Sequence, residues 1–389
     1  MFAKRTEWEL APNRFAAALE KHRGAGRPLL DLTASNPTRI GLRYDPALLA
    51  ALAQPAALDY SPDPRGIGST REAVARYYAD EDRAAPSPAQ IVLTSSTSEA
   101  YSFCFRLLCE PGDEVLAAAP SYPLFEFLAD LQDVHLRPYS LFYDYGWHID
   151  FESLRRAIGE RTRAIVVVNP NNPTGSYLKP AELEELNRLC ERHQLALISD
   201  EVFLDFARES RAGFSLAANH SALTFTLSGL SKISGLPQMK LGWIVVSGPT
   251  PLRQPALDRL EVIADTYLSV STPVQLAGPR FLQFRREFQD QLNRQISTNL
   301  DVLDRALAGQ RLCSRLIVES GWYAVLRVPV TRSDEDLAIE LLEKHSVLVH
   351  PGHFYDFAQD GFLVLSLITP LDDFREGVDR TLTHLQAGS

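Results

Sequence analysis

Seven short apolar runs between residues 91 and 246 constrain this chain more than any other feature of it. They are Ile91–Thr94, Glu114–Ala119, His135–Leu141, Ala164–Val168, Ala196–Ser199, Leu223–Leu227 and Trp243–Val246. Several lack the apolar–polar alternation of a strand with one wet face. Continuous runs of that kind form strands covered on both sides, as in a mainly parallel sheet. Helix-like stretches separate them. In Lys179–Gln194, the side chains of Leu183, Leu186, Leu189 and Cys190 fall on one stripe, with Glu and Arg opposite. The pattern predicts an α/β fold: a large domain with a mainly parallel, seven-stranded sheet sandwiched by helices.

After about residue 250 the pattern changes. A long helical region, roughly Val274–Leu307, precedes shorter strand-like runs at Tyr323–Val328, Val347–His350 and Phe362–Leu367. That reads as a smaller α+β domain. The expected division is 1–43 for an N-terminal arm and part of the small domain, 44–285 for the large domain, and 286–389 for the small C-terminal domain. A chain of 389 residues is long enough for two or three cores at about 150 residues each.

The net charge of −10 disfavours a general grip on nucleic acid. No stretch of 18 apolar residues is present to span a membrane. Residues 1–10 lack the apolar centre of a signal peptide. Cys104, Cys109, Cys190 and Cys313 form no CxxC pair, so neither a disulfide framework nor a zinc cage is expected. Buried thiols in a cytoplasmic protein are the plain reading. No GxGxxG follows a strand and no Gly-Lys pair occurs, which removes the dinucleotide fingerprint and the P-loop.

Ligands of open parallel sheets bind at the carboxyl ends of the strands, so the residues just past each apolar run carry the most information. Ser95, Ser96 and Thr97 follow the first run, with Glu99 three residues beyond Ser96. That is a capping box, and equally a helix start able to cradle a phosphate. Asn169-Pro170-Asn171-Asn172-Pro173-Thr174-Gly175 follows the fourth run and makes a rigid loop with its amides held in place. Asp200-Glu201 follows the fifth; an acid there caps the next segment or meets a buried cation. Ser228-Gly229-Leu230-Ser231-Lys232 follows the sixth. Only six lysines occur in the chain, and one set among small residues past a core strand is suited to a lowered pKa and a Schiff base. Lys240 lies eight residues further on. An anion cradle, an amide, a carboxylate and a nucleophilic amine together match the needs of pyridoxal 5'-phosphate.

At this point the chain resembles the class I/II aminotransferases, the aspartate-aminotransferase-like enzymes of pyridoxal-phosphate fold type I. The resemblance rests on Asn172-Pro173-Thr174-Gly175, Asp200-Glu201 and Ser231-Lys232, in that order, with 28 and 32 residues between their leading positions Asn172, Asp200 and Lys232. It implies that Lys232 forms the Schiff base and shuttles the proton, and that Asp200 bonds the pyridinium nitrogen. Asn172 would donate to the cofactor O3', with Ser95, Ser96, Thr97 and Lys240 at the phosphate and Tyr122 stacked on the ring. Tyr60 matches a tyrosine that reaches the neighbouring subunit's phosphate, which implies a homodimer with shared sites. The implied reaction moves an amino group from an amino donor, an amino acid, to a 2-oxo acid. A lyase acting on a β- or γ-substituent uses the same residues, and a non-catalytic sensor is the reading from another class.

Four positions depart from the family's pattern. Phe203 replaces a tyrosine, Gly229 a serine, and Lys240 an arginine. In Phe362-Leu363-Val364-Leu365-Ser366, Val364 stands where the family's arginine clamps the substrate carboxylate. Asn36, Arg39, Arg65 and His353 are the candidates to hold substrate instead, while His350 reads as packing at a strand end.

Overall fold

The computed structural model describes residues 1–80, 85–123, 125–208, 213–268 and 270–387. Each of the seven apolar runs becomes a strand of one sheet. Preceded by the short β1 (Leu30–Asp31), they are β2 (Ile91–Thr94), β3 (Glu114–Ala119), β4 (His135–Tyr143), β6 (Thr162–Val168), β7 (Ala196–Asp200), β8 (Thr224–Gly229) and β9 (Gly242–Ser247). An eighth strand, β5 (Trp147–Ile149), pairs antiparallel with the far end of β4 and extends the edge. The order across the sheet is β2-β9-β8-β7-β6-β3-β4-β5. The pairs from β8 through β7, β6 and β3 to β4 are parallel, and β9 runs antiparallel to both its neighbours.

The strands lack polar alternation because both faces are covered. In β6, Ala164, Val166 and Val168 join a cluster with helices Thr97–Leu108 and Thr250–Tyr267. Ile165 and Val167 point the other way, onto Leu186, Leu189 and Cys190 of helix Pro180–His193. Adjacent residues of a strand face opposite sides, so a two-sided core demands apolar residues at every position.

Helix Thr272–Ala308 is one continuous element of 37 residues, roughly 55 Å long, and it passes without a break through the expected boundary at 285. It carries the chain to a second sheet of β10 (Ser314–Arg315), β11 (Tyr323–Arg327), β13 (His350–Pro351) and β14 (Phe362–Ser366), in the order β10-β11-β14-β13 and antiparallel throughout. β12 (Val347–Leu348) pairs in parallel with β1, which ties the N-terminal segment to the small sheet. Ser366 Oγ also donates to Ala34 O, and Thr369 Oγ1 to Asp31 O at 3.0 Å.

Candidate active site

The parallel strands β6, β7 and β8 end side by side, and their next residues converge. At the helix that follows β2, Ser96 Oγ accepts from Glu99 N–H at 3.1 Å. Glu99 reaches back to Ser95 N–H (2.7 Å), one residue earlier than the capping box predicts. With Ala100 N–H on Ser96 O, this leaves the first-turn amides of Thr97 and Ser98 as donors without an intrahelical acceptor. An anion fits that arrangement. The helix start touches the neighbouring strands: a Cβ on Gly242 would lie 3.1 Å from Ser96 C, Ser228 O and Thr94 Oγ1. A Cβ on Gly229 would meet Leu241 O and Gly242 Cα at 2.9 Å, so a serine there would force the backbones apart.

Asp200 closes β7 at 8% exposure. The Tyr101 hydroxyl donates to its Oδ2 and Val202 N–H to its Oδ1, both at 3.1 Å. Burial raises the carboxyl to about 6, against these two hydrogen bonds and the charge of Lys232. Glu201 has a different task. Its carboxylate accepts from Ser199 Oγ (3.0 Å), Leu216 N–H (2.7 Å) and Ser215 Oγ (2.5 Å), which pins the following loop.

Lys232 lies one turn past β8. Its Nζ stands 4.8 Å from the ring centre of Trp322 and 5.7 Å from that of Phe203. Burial lowers its ammonium to about 8, and nearby Asp200 opposes the shift. Aromatic faces hold a cation without neutralising it, so the amine is positioned yet close to its free-base form.

The asparagine loop is stapled by its other members. Asn169 Nδ2 donates to Phe214 O (2.9 Å) and its Oδ1 accepts from Leu178 N–H (3.0 Å). Asn171 Nδ2 donates to Pro120 O (3.0 Å). Gly175 adopts φ +68°, and a Cβ there would collide with Ser320 O. Asn172 is buried, but its Oδ1 has no hydrogen-bond partner, and neither do Ser121 Oγ and Ser228 Oγ. Unpaired buried polar groups are costly, and these lie on or just past the ends of β3, β6 and β8, where a polar ligand would satisfy them. An amine, a buried acid, a free amide and open helix N–H groups fit pyridoxal phosphate.

The remaining expected residues are placed less tightly. Tyr122 is partly open, 5.9 Å edge-on to Phe125, and its phenol is pushed up by burial and then by Asp200. Tyr60 is 78% exposed. Lys240 is exposed in a left-handed conformation, φ +52°. Asn36 Oδ1 caps its own turn by accepting from Thr38 N–H (3.0 Å) and Oγ1 (2.7 Å), and Arg39 next to it is exposed. Arg65 is already engaged by Glu261 (2.6 Å) and Asp258 (3.7 Å). His353 is exposed, edge-on to Phe354 at 4.7 Å. Val364 is 1% exposed, between Val325 and His350. Among the described residues, none of Tyr60, Arg39, Arg65 and His353 bonds to Asp200 or Lys232.

Sequence reasoning missed Tyr101 and Trp322. Tyr101 lies on the Thr97–Tyr101–Phe105 stripe of its helix, a polar tip on an inward face, and that spacing was available as a signal. Trp322 precedes β11 in a turn, and nothing local ties it to Lys232, 90 residues away in sequence.

An amine enclosed by aromatic rings, a buried acid and an anion cradle at the ends of parallel strands define a pyridoxal-phosphate enzyme of amine chemistry. The profile of the aminotransferase class I and II family matches residues 31–378, and the chain belongs to that family. The glutamate-pyruvate aminotransferase AlaA of Haemophilus influenzae is 25% identical over 356 residues, 88% of this chain and 87% of that protein. A mouse tyrosine aminotransferase is 28% identical, covering 85% of this chain and 75% of its own. The alanine aminotransferase structure from Pyrococcus furiosus superposes over all of both chains with a TM-score of 0.90 at 22% identity. The protein is accordingly a pyridoxal-phosphate-dependent transaminase. Among the described residues no helix is long and apolar enough to cross a membrane.

Proposed function

We propose that the chain is a cytoplasmic homodimer that moves the amino group of an amino acid to a 2-oxo acid, with Lys232 and Asp200 at its reacting centre. The observation that carries this reading is the pair at the ends of β7 and β8: Asp200 buried, and Lys232 enclosed by the rings of Trp322 and Phe203, which agrees with an acid pushed up to about 6 and an amine pushed down to about 8. Bound pyridoxal phosphate supplies an aldehyde for the amine and a ring that takes up the electrons released at the donor Cα. Lys232 attaches through its neutral amine and moves the proton at the donor Cα. Asp200, oriented by Tyr101 and Val202, holds a proton on the ring nitrogen, and that cation in turn favours its ionised form. Asn172 offers its amide to the ring oxygen. Ser95, Ser96, Thr97 and Lys240 hold the phosphate, and Tyr122 covers the ring face.

The exposure of Tyr60 suits a side chain that crosses to a partner's phosphate. Asn36, Arg39, Arg65 and His353 are the candidates for substrate contact in this reading, in a chain whose large domain spans 44–285. Of the two arginines, Arg39 has no acidic partner among the described residues, whereas Arg65 is paired already. The test is spectral. An amino-acid donor should convert the bound cofactor stably to its amine form, and a 2-oxo acid should reverse the change. Release of ammonia and 2-oxo acid with no acceptor present would mark a lyase instead.

A further inference from the structure

The face of the small sheet beside Lys232 is defined by register. Val364 pairs with Val325 on one side and with His350 on the other. Directly paired residues project from the same face, and so does Tyr323, two residues before Val325. The Tyr323 ring lies 6.4 Å from Phe203, whose ring is 5.7 Å from Lys232 Nζ. His350, Val364 and Tyr323 therefore belong to the wall that looks toward the reacting amine.

Tyr355 joins this wall from the turn after β13. Its carbonyl accepts from Ser121 N–H at 2.9 Å, which fixes it against the loop carrying Tyr122. Its phenol is pushed well up by burial, and further by the neighbouring Tyr323 and Tyr122. The ring nitrogen Nδ1 of His350 lies 3.0 Å from the Tyr355 hydroxyl. Burial pushes the His350 imidazolium down, against the attraction of Asp31, so the imidazole is neutral at neutral pH. A neutral pair of this kind always has one proton to spare. If Tyr355 donates to Nδ1, the imidazole keeps an Nε2–H. If Nδ1–H donates to Tyr355, the phenol keeps its O–H.

Positive charge is scarce along the same face. Arg327 is two residues beyond Val325, about 7 Å further along the strand, with its guanidinium 5.7 Å over the Tyr143 ring. We propose that Tyr355, oriented by His350, holds the substrate carboxylate from the small-sheet wall, where Val364 offers no cation. In this assignment the His350 Nδ1–H donates to the Tyr355 oxygen and leaves the phenol O–H for the carboxylate, so Tyr355 is the binding residue and His350 the positioning residue. Arg39 supplies charge from the loop that leaves the edge of β14 after Ala34, and the carboxylate has oxygens for both. The proposal rests on the aminotransferase reading.

The test compares holoenzyme variants. Tyr355→Phe keeps the ring and removes the hydroxyl. It should raise KM for amino-acid donors and 2-oxo acids about tenfold or more while kcat stays within about threefold. Binding of propionate, an unreactive carboxylate followed through the cofactor absorbance, should weaken in parallel. His350→Gln should give a smaller rise in the same direction. An unchanged visible spectrum and melting temperature would show the reacting centre intact in both variants. Wild-type KM and propionate affinity in Tyr355→Phe would overturn the proposal, and so would a rise confined to Arg327→Ala. If the wild type exchanges amino groups with no donor, the aminotransferase reading falls and takes this one with it. A transaminating wild type with an indifferent Tyr355→Phe sinks only the present inference.

Discussion

The ends of β6, β7 and β8 and the facing wall of the small sheet meet around one lysine, but they are built differently. At the strand ends, charge is enclosed and held from several sides: Asp200 by Tyr101 and Val202, Lys232 by two aromatic faces. On the wall, valines, phenols and a neutral imidazole replace charge, and of the candidate cations Arg39 sits exposed on a loop. Chemistry common to all donors needs fixed groups with displaced pKa values, which only a rigid core supplies. The side that contacts the rest of a donor is free to vary, and there Val364 offers no charge.

Five measurements would break or sharpen this contrast. Lys232→Ala removes the nucleophile, and activity should fall by about four orders of magnitude or more. After borohydride reduction and dialysis, wild type should retain the cofactor covalently and the variant should not; a covalently loaded variant would move the centre elsewhere. Asp200→Asn should slow proton abstraction by about two to three orders of magnitude with the circular dichroism unchanged. Near-normal turnover would remove Asp200 from its role.

The pH dependence tests the burial of Lys232 directly. A lysine pKa lowered from 10.5 to about 8 brings the neutral amine in as pH rises through about 8. The rate at which apoprotein combines with pyridoxal phosphate should rise over that range, and Asp200→Asn should move the midpoint lower, because Asp200 favours the ammonium. A midpoint near that of a free lysine would contradict the aromatic enclosure.

The two arginines separate loop from scaffold. Arg39→Ala should raise KM for amino-acid donors about tenfold, as expected for losing a charged hydrogen bond. Arg65→Ala should leave KM nearly alone and cost about 1 kcal/mol of stability through its partly exposed pairs with Glu261 and Asp258. The reverse result would exchange their roles. The smallest effect is expected in mixed dimers of a Tyr60→Ala subunit with a Lys232→Ala subunit. Shared sites leave one intact site per dimer, with about half the wild-type activity. Sites built within one chain would both be damaged, and activity would nearly vanish.

Much of the strand-end half was legible without coordinates. Continuous apolar runs mark strands buried on both faces, and in a parallel sheet the next residues must lie at one edge. Ser96, Asn172, Asp200 and Lys232 could therefore be grouped from their positions after the first, fourth, fifth and sixth runs. The same local logic read His350 as packing at a strand end. Its neighbours, Val364 and Tyr355, come from β14 and from the turn after β13, and pairing alone brought them to one face.

The sequence by itself determined which strands are buried, which residues follow them, and which cofactor chemistry those residues suit, because burial and turn chemistry are written in neighbouring positions. Tertiary structure decided that Tyr101 bonds Asp200, that Trp322 and Phe203 enclose Lys232, and that His350 and Tyr355 line the wall beside Val364. Those contacts join segments far apart in the chain, and no local spacing encodes the register and the packing that set them side by side.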